Sequence, residues 1–169
     1  MIKYGSIVLQ KKTLVNKVNY KDNKENRFSV VLFEFNLNNE EYVCSCPITN
    51  HIQTIKNFSK NSLYIPFQIL TDKKYCSVKL DSVYFYPKSE ITHTGLDLNN
   101  DTILKIYNRI LDLDSNDLVL NSEQLNILKE NIIKISKNIE KEQKRIKKEN
   151  RKLKKQRTKE LKRNYNNIK

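Results

Sequence analysis

Two runs of β-branched and aromatic residues, 27–37 (RFSVVLFEFNL) and 40–48 (EEYVCSCPI), stand on either side of Asn38-Asn39. Side chains of these types crowd the preceding turn of a helix and fit a pleated strand instead. Runs of this kind punctuated by a polar pair predict a β-hairpin. Around it, 4–10 (YGSIVLQ) is expected as a first strand, and 11–26 as a long polar, basic loop. Segment 49–62 reads as a loop or single helical turn, and 63–70 (LYIPFQIL) as an edge strand because of Pro66. A turn at 71–74 leads to one or two strands over 75–86, stopped by Pro87, and 88–100 reads as a loop. Ile103, Leu104, Ile106, Tyr107, Ile110 and Leu111 then recur at helical spacing. Several short strands followed by helices predict a mostly β, α+β fold, with the strands in a small barrel or curled sheet.

The last 49 residues behave differently. Residues 121–169 hold 17 Lys/Arg against 6 Asp/Glu, whereas residues 1–120 hold 15 against 13, so +11 of the net +13 lies in the tail. Ser122, with Glu123 and Gln124, is expected to open a helix. Leu125, Leu128, Ile132, Ile135 and Ile139 alternate spacings of three and four, a coiled-coil seam that thins to Ile146 and Leu153. Lys144, Lys148 and Lys152 stack one turn apart and repel. Two readings stand: a face for a polyanion, with Lys144, Lys148, Arg151 and Lys155 as candidates, or a solvated helix in a Lys-rich chain. The expected organisation is a domain over 1–112, a linker over 113–121 and a long basic helix over 122–169, with a coiled coil available at 125–139.

Composition removes several classes of function. With 2 Gly in the chain, glycine-rich phosphate loops are excluded, as is a G-x-S-x-G nucleophile elbow. The odd count of 3 cysteines, Cys44, Cys46 and Cys76, fits a reducing compartment, and a cytoplasmic location is expected. Zinc would need more ligands than His51 and His93 offer, so the thiols are expected in the core. No apolar run approaches the ~18 residues of a membrane span, and no secretory leader is evident. Both histidines fall in segments read as loops or strand ends, where a surface role is the simpler expectation.

One juxtaposition carries chemistry. If 27–35 and 40–48 form one hairpin, Arg27 and Thr49 lie at the same end of it, beside the basic loop. An always-charged fork of donors and a hydroxyl can hold a phosphodiester and stabilise charge that builds at phosphorus. On composition alone, an exposed Arg and a turn-capping Thr is the favoured reading.

Four segments in order resemble the MazF/PemK family of toxin endoribonucleases, over about residues 4–111. They are Tyr4-Gly5-Ser6-Ile7-Val8-Leu9, Arg27-Phe28-Ser29-Val30-Val31-Leu32, Cys46-Pro47-Ile48-Thr49-Asn50 and Ser77-Val78-Lys79-Leu80-Asp81-Ser82-Val83, the last running on to Pro87-Lys88-Ser89-Glu90-Ile91. The resemblance implies an SH3-like barrel, a homodimer, a cognate antitoxin, and cleavage of single-stranded RNA without metal or cofactor. The substrate's 2′-hydroxyl would attack, leaving a 2′,3′-cyclic phosphate and a 5′-hydroxyl. Arg27 would stabilise the phosphorane and assist proton transfer, and Thr49 would hydrogen-bond the scissile phosphate. Lys17, Asn50, Lys79 and Tyr84 are the further RNA-binding candidates, Tyr84 standing where the family usually has an Arg and offering a ring for base stacking. Phe28 replaces the family's proline. The alternatives are a non-catalytic RNA-binding module on the same barrel, or an interaction protein working through a coiled coil.

Overall fold

The computed structural model describes residues 1–11, 26–49, 62–65 and 76–167. The loop over 12–25, Lys17, Asn50, His51 and the turn at 71–74 lie outside the described residues, as does most of the expected strand over 63–70.

The described strands are β1 (Ser6–Lys11), β2 (Asn26–Leu37), β3 (Glu40–Thr49), β4 (Ser62–Ile65), β5 (Cys76–Lys79), β6 (Tyr84–Pro87) and β7 (Ile91–Asp97). All pairings among them are antiparallel, in the order β4-β5-β3-β2-β1-β7, with β6 also on β3. The described helices are α1 (Asn100–Leu111) and α2 (Ser122–Asn167). The architecture is therefore mixed α+β, an antiparallel sheet with a long C-terminal helix.

The hairpin forms as its sequence requires. Leu37 pairs with Glu40, and Asn38 and Asn39 take φ of 51° and 65°. That two-residue left-handed turn matches the twist of the flanking strands. β3 is the hub: beyond β2, it pairs with β6 over Tyr42–Ser45 and with β5 over Ile48–Thr49. Pro47, which has no N–H to donate, falls where the partner changes. The expected strand over 75–86 is thus two strands, broken by a turn around Leu80–Asp81.

β7 was not legible in the sequence. Ile91–Asp97 pairs along β1, with His93 opposite Val8 rather than in a loop. Its 3-10 connection to β6, Lys88–Glu90, is one turn long. One face of the sheet gathers Val8, Val31, Val43, Tyr86 and Ile91 from five strands into one cluster. On the other face, Ile7, Val30, Cys44, Cys46 and Phe33 are buried. α1 belongs to that second layer: it buries Ile103, Ile106, Tyr107 and Ile110, and the Tyr107 hydroxyl donates to the Leu32 carbonyl. Burial, with the nearby Cys44 thiol next, pushes the Tyr107 hydroxyl well above its ordinary pKa. Burial likewise raises the three thiols, so they sit in the core as inert, protonated groups.

Gly5 ties the layers together. Its N–H donates to Val31 O at 2.8 Å and its carbonyl accepts from Leu98 N at 2.8 Å. Its φ is +83°, and a Cβ there would stand 3.1 Å from Ile103 Cγ1 and 3.2 Å from Leu98 O.

Asn99 caps α1 by accepting from Thr102 N at 2.8 Å. Asn121, one residue before the expected Ser122, caps α2: its Oδ1 accepts from Gln124 N at 2.8 Å, and Gln124 Oε1 accepts from Asn121 N at 3.2 Å. This reciprocal pair is a capping box, which Ser122 at the next position cannot form. Two compact units divide the chain, Met1–Ile133 and Lys134–Lys169. The first extends past the expected boundary at 112, and Leu118, Leu128 and Ile132 within it are buried. Among the described residues no helix is long and apolar enough to cross a membrane.

A candidate phosphodiester site at one end of the sheet

Residues directly opposite one another across a ladder point to the same face, as do residues two apart along a strand. The register therefore sorts the side chains. Gln10 of β1 faces Arg27 of β2, and Ser29 of β2 faces Pro47 of β3. That ladder ends at Ser29–Pro47; Arg27 and Thr49 lie two residues beyond it, on the same face as Ser29 and Pro47. Thr49 in turn pairs with Ser77 of β5. The pairs Gln10–Arg27 and Thr49–Ser77 make up a polar row at one end of the sheet, on the face that carries the Val8–Val31–Val43 cluster.

Next to Arg27, on the same face, Gln10 centres a buried polar network. Ser29 Oγ donates to Gln10 Oε1 at 2.8 Å, and Gln10 Nε2 donates to Ser45 Oγ. All three residues are buried: Gln10 is 2% exposed, Ser29 and Ser45 0%. An amide that both accepts and donates is held in one orientation, which fixes β1, β2 and β3 next to Arg27. Ser77 is 1% exposed, and its hydroxyl has no hydrogen-bond partner among the described residues. Such an orphan costs free energy. This one stands at the end of the row, opposite Thr49.

Arg27 and Thr49, expected at one end of the hairpin, do share that end and one face. Lys79 ends β5, half-buried, two residues beyond Ser77. Tyr84 lies opposite Ser45, half-buried, packed on the Val8 cluster with its ring 6.0 Å from that of Tyr86. Lys144, Lys148, Arg151 and Lys155 are exposed along α2. Gln10, Ser29, Ser45 and Ser77 were missed. Their one signal was a polar residue at alternate positions of otherwise apolar strands.

A second polar cluster ties β7 to the N-terminal turn. Asp97 accepts from Ser6 Oγ at 2.8 Å, pairs with Lys3 at 3.0 Å and lies 3.4 Å from His93 Nε2. Burial pushes its carboxyl up, but the hydrogen bonds from Ser6, Lys3 and His93 outweigh it and hold the pKa below the ordinary value. Ser6 bonds the carboxylate and not the imidazole, so the trio lacks the order of a hydrolytic triad. Among the described residues no three His, Cys, Asp or Glu side chains converge as metal ligands.

No protein-family model matches the chain, and no curated protein matches it.

Proposed function

We propose that this chain is a metal-independent endoribonuclease of the MazF/PemK type, acting on single-stranded RNA from the polar end of its sheet. The observation that carries the reading is the row Gln10–Arg27–Thr49–Ser77, in which the two residues expected to act on phosphate share one face and one end. In the proposed step the substrate's 2′-oxygen attacks the adjacent phosphorus and the 5′-oxygen of the next nucleotide leaves. The 2′-hydroxyl loses its proton and the leaving oxygen gains one, giving a 2′,3′-cyclic phosphate and a 5′-hydroxyl. Arg27 places two fixed donors on the non-bridging oxygens as their charge grows, a stabilisation that needs no reorganisation of solvent. Thr49 donates to the same phosphoryl group. Gln10 positions Arg27 by fixing the strand beside it.

An SH3-like closure of the sheet belongs to the same proposal. It is supported by β6 on β3 and β7 on β1 being joined by a single turn, and by one cluster drawing from all of these strands and β2. A homodimer and a cognate antitoxin are proposed on the family resemblance, and a cytoplasmic setting on the odd count of cysteines.

The test is incubation of the purified protein with a long single-stranded RNA in excess EDTA, beside Arg27→Ala and Thr49→Ala. Discrete fragments lost by at least tenfold in both variants are expected. RNA that is bound but left whole by the wild type would replace this reading with that of a non-catalytic RNA-binding module.

A further inference from the structure

Beyond residue 133 most of the cations of α2 gather on one side of the helix. Lys134, Lys137, Lys141, Lys144, Lys148, Arg151 and Lys155 recur at alternating steps of three and four, and each is exposed. At about 100° per residue they occupy an arc of roughly 100°. A three–four repeat drifts only about 20° per heptad, so the stripe keeps to one face. Its length is about 32 Å at a rise of ~1.5 Å per residue.

The arc holds nothing but cations. Lys152 and Lys159 fall in it too, and every residue from 134 to 160 that does so is Lys or Arg. Cations make up 13 of those 27 residues, so composition alone would fill about half of the arc. Glu142, Glu149 and Glu160 lie on the other side of the helix with Ile146 and Leu153, and Glu140 borders the stripe. Glu142 and Glu149 reach Arg145, outside the arc, at 2.7 and 3.9 Å. Among the described residues no acid pairs with any of the seven stripe cations.

Like charges three and four residues apart weaken a helix. Six such neighbours in succession form a rod that a polyanion would stabilise along its whole length. The stripe has no apolar side chain to insert into a bilayer, as an interfacial helix needs. It has no ring on which a base could stack. What remains is a row of flexible point charges suited to phosphates and indifferent to sequence. We propose that the stripe from Lys134 to Lys155 docks the sugar–phosphate backbone of a nucleic-acid strand. Such docking does not require the Arg27 site to cleave anything.

The measurement is the affinity of the full-length protein for a 2′-O-methyl RNA strand, followed between about 50 and 200 mM salt. That strand has no 2′-hydroxyl nucleophile, so cleavage and docking are read separately. One variant carries Lys141→Gln, Lys144→Gln, Lys148→Gln and Arg151→Gln. A control removes as many charges off the stripe: Arg145→Gln, Lys147→Gln, Lys154→Gln and Arg157→Gln. Circular dichroism checks that both keep the helix. The slope of log K against log[salt] is expected to fall by about 3 in the stripe variant, since each single-strand phosphate contact contributes roughly 0.7. The control should lose less than half of that. Equal losses in the two variants, or none in the first, would overturn the proposal. So would stripe-dependent binding to phosphatidylserine vesicles or poly-glutamate with RNA affinity unchanged.

Discussion

Replacing Gln10 by Leu keeps the volume of the side chain and removes both of its hydrogen bonds. In the native protein Gln10 accepts from Ser29 and donates to Ser45, and both serines are fully buried. The substitution leaves two hydroxyls stranded away from water. A stranded buried polar group costs about 1–3 kcal/mol, so Gln10→Leu is expected to destabilise the domain by about 2–6 kcal/mol. Adding Ser29→Ala and Ser45→Ala to it should recover much of the loss, because removing all partners of a buried hydrogen bond is close to neutral. The triple variant should therefore be more stable than the single one, a non-additivity expected of groups in one hydrogen-bond network. Urea denaturation followed by circular dichroism measures this, with the slope compared to confirm that the shift is one of stability. A single variant within about 0.5 kcal/mol of wild type, or a triple variant less stable than the single, would show that the network does not bear on folding. The positioning of Arg27 by Gln10 would fall with it.

Two further outcomes follow from the fold and its charges. Gly5→Ala and Gly95→Ala both place a side chain at positive φ, +83° and +84°, but only at Gly5 does the new Cβ meet neighbours closer than 3.4 Å. Each should lose about 1–2 kcal/mol to the backbone, and thermal melts should show Gly5→Ala to be clearly the worse of the two; equal losses would refute the clip between β2 and α1. Asp97→Asn should cost a few tenths of a kcal/mol to about 1, since the pairs are partly exposed. The Asp97 pKa is held below its ordinary 3.8 in the folded protein. Its contribution is therefore present above that value and lost as pH falls through the folded pKa. The stability difference between wild type and variant should be full at pH 7 and shrink in acid, and a difference that grows in acid would contradict the assignment.

Much of the sheet is legible where local chemistry and global fold agree. The Asn38-Asn39 turn, the flanking β-branched and aromatic runs and the stop at Pro87 each name their own element. β7 escaped because ITHTGLD is mostly polar, and it becomes a strand only through its partner β1. The cap of α2 was misplaced by one residue because Asn121 and Ser122 are both good caps, and only geometry chooses between them. Arg27 and Thr49 were legible together because a hairpin puts its own two ends in register. Gln10 and Ser77 were not, because they reach the same row from strands β1 and β5. Their neighbours depend on the order β5-β3-β2-β1, which no local pattern encodes. The basic tail was visible as a charge excess. The segregation of its cations into one arc emerges once residues are placed around the helix.

The most direct test of the proposed activity compares an RNA strand with its fully 2′-O-methylated counterpart, both in excess EDTA, with wild-type protein and with Arg27→Ala. The expected result is cleavage of the unmodified strand alone, by the wild type alone, leaving 2′,3′-cyclic phosphate and 5′-hydroxyl ends. Cleavage of the methylated strand, or undiminished cleavage by Arg27→Ala, would contradict attack by the substrate's own hydroxyl at this site.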